Sequence, residues 1–350
     1  MTSYSGARAA RPGAVVWRLP AALYTLRPEA ARLLDRVNER ARELVAPDLL
    51  ELVRLRTATL IGGPEAAPAP GVLPAAKAHA LPRYPTSPLF SALERSCLTL
   101  AEQFVMDVGG MTPELVADIA AELGPDRVLD IVGATYVVEF TRRLQLVAGA
   151  LVADAAPGLT DPDPDLGPGP GPGPGPGPGP GPGAGAEPAV TPSLKDLLAS
   201  YQEAVVRGDA LDPVTTELVR LRCARTHRCR ICQTLRLVGA REAGVDESMT
   251  NKIDFYETSD LPEPHKVALR ITDALITGPD LLTVDTVQRA RVFFDDETLA
   301  ELCFDITKWS TQKINVALGT DGVADLDLDA DGVAYFDFGT DGRVAGLRGR

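Results

Sequence analysis

Glu217-Leu-Val-Arg-Leu-Arg222 repeats, letter for letter, an earlier hexamer, Glu51-Leu-Val-Arg-Leu-Arg56, and each follows a proline four residues upstream of its glutamate, Pro213 and Pro47. Beyond the hexamers, residues 94–148 lie on 265–319 without a gap: Thr112 falls on Thr283, Val116 on Val287, Ile131 on Leu302 and Arg142 on Lys313. Few positions in this second stretch are identical, but apolar and turn positions track. Such self-similarity is the signature of an internal repeat. The unit would be about 140 residues long, a size at which a domain buries its own core. The chain therefore reads as two tandem copies of one unit.

Both copies carry apolar residues at helical spacing. The runs cover 30–44, 49–60, 93–105 and 115–147 in the first copy, and 194–206, 214–221, 231–238, 267–276, 284–292 and 299–318 in the second. Asp212 and Pro213 suit a helix cap and first turn, and Gly239 and Gly244 suit stops. Strand-like alternation is confined to Val333-Ala-Tyr-Phe-Asp-Phe338, with Asp-Gly turn signals at 331–332 and 341–342. The expected fold class is all-α, with two helical domains over 14–156 and 191–345. Between them, the linker 157–190 contains eight unbroken Gly-Pro dipeptides from Gly167 to Pro182. Proline at alternate positions removes backbone donors and disfavours helix in the residue before it, so the linker is expected to be an extended spacer.

Apolar residues make up 45% and charged residues 24% of the 350, which is globular composition. The net charge of −13 opposes a nucleic-acid surface, which needs clustered Lys and Arg. Seven aspartates between Asp321 and Asp341, with no Lys or Arg among them, supply over half of that charge. No apolar run approaches the roughly 18 to 20 residues of a membrane span. Met1–Leu19 lacks the apolar core of a secretory signal, and five cysteines do not make a disulfide scaffold. The expectation is a cytoplasmic protein with free thiols, without nucleic-acid or membrane partners. Asp327, Asp329, Asp331 and Gly332 match the opening of a calcium loop, but its twelfth position is Phe338 rather than Glu, so they read as solvated turn residues. Glu139, Arg142 and Arg143 read as an exposed helical face, and Phe304 and Trp309 as core or subunit contacts.

The chemistry concentrates in Cys229-Arg-Ile-Cys232, twelve residues after Glu217. Two cysteines three apart face one side of a helix. A helix start and the nearby Arg228, Arg230 and Arg236 favour thiolate, the form that attacks peroxide; Arg236 is expected one turn after Cys232 on the same face. The second thiol would then resolve a sulfenic acid as a disulfide. Glu217, on the preceding helix, is placed to hold or accept a proton near the thiols. A CxxC alone leaves other readings open: a zinc site recruiting Cys223 and His227 beside Cys229 and Cys232, or two inert core thiols. Cys97 and Cys303, in apolar runs, read as core.

Glu217, the twelve-residue spacing and Cys229-x-x-Cys232 in a small helical unit resemble the AhpD-like alkylhydroperoxidase / carboxymuconolactone decarboxylase superfamily, in its thiol-bearing branch. The resemblance covers the second copy, from about Pro192 to Gly319, and the first only as scaffold. It implies a helical fold, homo-oligomers built from it, and hydroperoxide reduction without cofactor or metal, with a dithiol or protein-thiol reductant. By that match Cys232 is peroxidatic, Cys229 its disulfide partner, and Glu217 part of the proton relay. The family's peroxidases carry histidines where this chain has Ile231 and Arg236; arginine stabilises a thiolate but shuttles no proton at neutral pH. His227 is the candidate substitute. In the first copy the position twelve after Glu51 is Gly63, within Ile61-Gly-Gly-Pro64, and no thiol pair is present. That copy reads as a degenerate half; a cysteine-free decarboxylase-type site there would have only His79 nearby. A helical scaffold without activity and a cofactor-free decarboxylase are the rival functions.

Overall fold

The computed structural model describes residues 18–152 except 65, and residues 191–348 except 325. The Gly-Pro linker 157–190 and residues 1–17, which hold nearly all of the segment read above as lacking a secretory signal, lie outside the described residues.

The first half runs α1 (Ala21–Leu26), α2 (Pro28–Leu44), α3 (Pro47–Ile61), α4 (Ala75–Ala80), α5 (Ala92–Asp107), α6 (Pro113–Leu123) and α7 (Pro125–Leu151). The second runs α8 (Leu194–Val206), α9 (Pro213–Thr226), α10 (Arg230–Thr234), α11 (Val238–Glu242), α12 (Glu247–Thr250), α13 (Glu263–Ile276), α14 (Val284–Phe293), α15 (Asp296–Trp309) and α16 (Lys313–Ala317). Local chemistry sets many of these boundaries. Pro28, Pro47, Pro113, Pro125 and Pro213 open helices where a missing N–H costs nothing. Ser91 with Glu94, and Ser193 with Asp196, form capping boxes at α5 and α8. The fold is all-α, as expected, and no helix among the described residues is long and apolar enough to cross a membrane.

α7 is the central element. Every residue from Ile131 to Leu144 is buried, the condition of a helix packed on all sides rather than on one stripe. It contacts α2 and α3 of its own half and α13 and α15 of the other. One apolar cluster runs through both halves, joining Leu23, Phe104 and Phe140 to Leu198, Ile271 and Phe304. Tyr136 in α7 donates its hydroxyl to the Thr307 carbonyl in α15 at 2.8 Å. The two halves thus share a core.

The repeated hexamers make the same contacts. Arg54 grips both oxygens of Glu51 at 2.7 Å and donates to the Ala67 carbonyl, while Glu51 accepts the Ala69 N–H. Arg220 grips both oxygens of Glu217 at 2.6 and 2.8 Å and donates to the Leu235 carbonyl, while Glu217 accepts the Leu237 N–H. In each half, a buried ion pair braces the extended segment beyond the helix.

Three expectations need correction. Residues 231–238 are not one helix: α10 ends at Thr234, and β1 (Leu235–Leu237) follows. β1 pairs parallel with β2 (Ala334–Phe338), which pairs antiparallel with β3 (Val344–Arg348). A partner a hundred residues downstream overrides local helical periodicity, as tertiary context often does. Glu139, Arg142 and Arg143 are not an exposed face; Glu139 and Arg143 are 0% exposed and pair at 2.9 Å. The 115–147 run is broken by Gly124 at φ 90 between α6 and α7, a left-handed conformation that suits glycine. At the C-terminus, the Asp-rich stretch forms the expected turn: Asp329 accepts N–H groups from Asp331 and Val333, both at 3.0 Å.

Candidate active site

α9 ends at Thr226, and the chain reverses through Arg228, whose φ of 54 is the one left-handed non-glycine among the described residues. That reversal lets the Cys229 N–H reach the Ala224 carbonyl at 3.0 Å. Cys229 then caps α10, its sulfur accepting the Cys232 N–H at 3.4 Å. The two cysteines, with Cα atoms 5.3 Å apart, are joined as a disulfide. Cys229 is fully buried, whereas Cys232 is part-exposed.

The pair lies on the wall of a cavity of about 410 Å³, within the size range of small-molecule sites. Its walls are mostly apolar, with Leu235, Trp309, Phe336 and Phe338 prominent; His227, Gln312 and Lys308 are among its few polar groups. The C-terminal sheet therefore closes a site whose thiols come from α10.

The predicted site residues are distributed as follows. His227 faces the cavity beside both cysteines and is 4% exposed, its Nε2 without a hydrogen-bond partner. Burial, and then the Lys313 and Arg143 cations, hold its pKa well below the usual imidazole value, so the ring is neutral. Glu217 is buried and held by Arg220 and the Leu237 N–H. It reaches the thiol segment through Arg220, whose Nη1 donates to the Cys232 carbonyl at 2.9 Å. Arg236 is turned by β1 toward Glu247, which it grips at 2.8 and 3.2 Å, and it also donates to the Gln233 carbonyl. Hydrogen bonding from Arg236 holds the Glu247 carboxyl below the usual range.

The first half reaches this region in two places. Arg228 lies along Gly109 and pairs with Asp107 at 3.2 Å. Lys313 of α16 donates to both oxygens of Glu139 at 2.8 and 2.7 Å, and Arg143 shares that carboxylate. Burial lowers the Lys313 amine to about 8, against the opposing pull of Glu139.

The remaining cysteines stand apart. Cys97, Cys223 and Cys303 are buried free thiols; burial pushes Cys97 and Cys303 up to about 12 and Cys223 higher still. Among the described residues no three His, Cys, Asp or Glu side chains converge as metal ligands. Gly63 of the first half, where a cysteine would match Cys229, is filled against Leu146 and Arg142.

Sequence reasoning missed Arg220, Lys308 and the cavity role of Trp309. Arg220 carried a signal, since it occupies the same hexamer position as Arg54. Lys308 and Trp309 carried none, because they come to line the cavity of the cysteines only through the packing of α15 on α9.

The model of the carboxymuconolactone decarboxylase family matches residues 192–251, the segment that holds Glu217, Arg220, His227 and both cavity cysteines. The chain is 34% identical, over 234 residues, to an uncharacterised protein of Mycobacterium tuberculosis strain CDC 1551 / Oshkosh. The same figures hold for an uncharacterised protein of strain ATCC 25618 / H37Rv; in both cases the match covers 66% of this chain and 74% of the relative. No solved structure matches. The chain belongs to the carboxymuconolactone decarboxylase family, within the AhpD-like superfamily.

Proposed function

We propose that the chain is a thiol peroxidase that reduces organic hydroperoxides through a Cys229–Cys232 dithiol/disulfide cycle. The observation that carries this reading is the placement of both sulfurs on one cavity wall, already bonded to each other, with Cys232 part-exposed and Cys229 fully buried. In the reduced protein the Cys232 thiolate attacks the terminal oxygen of the hydroperoxide. The O–O bond breaks, the alcohol leaves with a proton, and Cys232 becomes a sulfenic acid. Cys229 sulfur then attacks Cys232 sulfur, water leaves, and the disulfide closes. A dithiol or protein-thiol reductant reopens it by exchange.

His227 is the group suited to move the protons, being neutral, unpartnered and on the same wall; a positioned base of this kind contributes about 10²- to 10⁴-fold. Glu217 acts through Arg220, which holds the carbonyls of Cys232 and Leu235 and so fixes the thiol segment. Arg236, paired with Glu247, steadies the start of β1. The thiol-free first half serves as a buttress for the turn at Arg228 and for the buried cations behind His227. Hydroperoxide consumption by the dithiol-reduced protein tests the reading: it should vanish in Cys232→Ser, and unchanged consumption there would contradict it.

A further inference from the structure

Lys308 projects into the same cavity from the end of α15, and nothing in the peroxidase chemistry uses it. It is 3% exposed, and its Nζ has no hydrogen-bond partner. The amine rests on the Trp309 ring, 2.9 Å from its centroid, and lies 4.5 Å from that of Phe338. A buried donor left unpaired is costly, so a side chain in this position favours a ligand that brings an acceptor. Around it the walls are aromatic and aliphatic, which suits an apolar body.

We propose that the cavity binds amphipathic carboxylates, with the carboxylate on Lys308 Nζ and the apolar body against Trp309, Phe336 and Phe338. The inference deepens the peroxidase reading and rests on it for the reacting end: the substrate class becomes hydroperoxides of apolar carboxylic acids. The head group sits on Lys308, and the peroxide lies toward Cys232 on the same wall.

The other charges near Lys308 leave that role to it. Arg220 of α9 is occupied by Glu217. Asp305, on Lys308's own helix, is raised by burial to about 6 and so is an anion at neutral pH, but it makes no hydrogen bond with the Lys308 amine. Glu203 of α8 and Arg343 of the C-terminal hairpin, both on the cavity wall, pair with each other at 2.8 Å. His227 is neutral. Burial holds the Lys308 amine well below its usual range, against the opposing pull of Asp305 and with a smaller push from Arg220. A bound carboxylate would restore the charge, so binding should take up a proton.

The test uses the oxidised full-length protein and octanoate, which carries no peroxide bond, so a failure of redox chemistry would leave its result unchanged. Trp309 is one of two tryptophans, and a Trp17→Phe background makes it the sole fluorescent reporter. Octanoate should quench or shift Trp309 emission at concentrations at least tenfold below those needed for octanol. Lys308→Met, which keeps the shape and removes the amine, should erase that preference while still binding octanol. Calorimetry in two buffers of different ionisation enthalpy should show uptake of close to one proton with octanoate and none with octanol, a readout that needs no variant. Equal binding of acid and alcohol, an acid preference surviving in Lys308→Met, or no proton uptake would each overturn the proposal.

Discussion

Arg220 holds Glu217 by both carboxylate oxygens and, with its remaining nitrogen, the carbonyl of Cys232. One guanidinium thus ties a buried carboxylate to the thiol segment. Its twin in the first half, Arg54 on Glu51, is built the same way but faces Ala67 and Ala69 rather than a cysteine. The two pairs separate what this arrangement does for the fold from what it does for the site.

Arg54→Met and Arg220→Met should each destabilise the protein by about 3–5 kcal/mol, because each leaves a buried carboxylate unpaired. Only Arg220→Met should also slow oxidation of the reduced thiols by hydroperoxide. Urea unfolding and stopped-flow thiol oxidation on both variants make the comparison. Equal effects on thiol chemistry would remove Arg220 from the site.

Glu139 is the anion between two buried cations, Arg143 and Lys313. Glu139→Gln should therefore cost about 3–5 kcal/mol in unfolding free energy, more than an exposed ion pair contributes. Its position behind His227 adds a second expectation: the site should lose hydroperoxide reactivity in step with that local loosening.

Asp305 carries a folded-state pKa raised by burial from 3.8 to about 6. The native state then holds this proton more tightly than the unfolded chain. Its contribution to stability is fully present below about pH 3.8 and is lost as pH rises through 6. Asp305→Asn should remove that slope and raise stability at pH 8 by about 1–3 kcal/mol. Denaturation midpoints at pH 4, 6 and 8 check the sign; a wild-type stability that rises across this window relative to the variant would contradict it.

Only two of the five cysteines should react in the folded, reduced protein. Cys97, Cys223 and Cys303 are buried, with thiols pushed well up in pKa, and the thiolate is the reactive form. A disulfide-exchange reagent should titrate about two thiols natively and five after unfolding. His227→Gln should keep that native count while slowing hydroperoxide oxidation by about 10²-fold or more, the scale of a lost general base.

Much of this was legible from the residues. Proline-led, capped, periodic helices fixed the fold class because their signals are local, and the matching hexamers marked two segments that make the same contacts, although not the ion pairs within them. The CxxC named the sulfurs that the structure joins. What stayed hidden depends on distant partners. Leu235 becomes strand through Ala334, and Glu139 becomes buried through Lys313. Lys308 comes to line the cavity of the cysteines only when α15 packs on α9. Periodicity assigns a face to a helix but does not say whether another helix covers the opposite face. That is why Glu139, Arg142 and Arg143 read as an exposed face in the sequence although α7 is covered on all sides.

The most direct test of the central claim is single-turnover thiol counting. Fully reduced protein would be mixed anaerobically with one equivalent of cumene hydroperoxide, and free thiols followed beside Cys229→Ser and Cys232→Ser. Rapid loss of two thiols in the parent, with a trappable sulfenic acid in Cys229→Ser and none in Cys232→Ser, is the predicted result. Thiol loss no faster than that of a free cysteine in solution would contradict it.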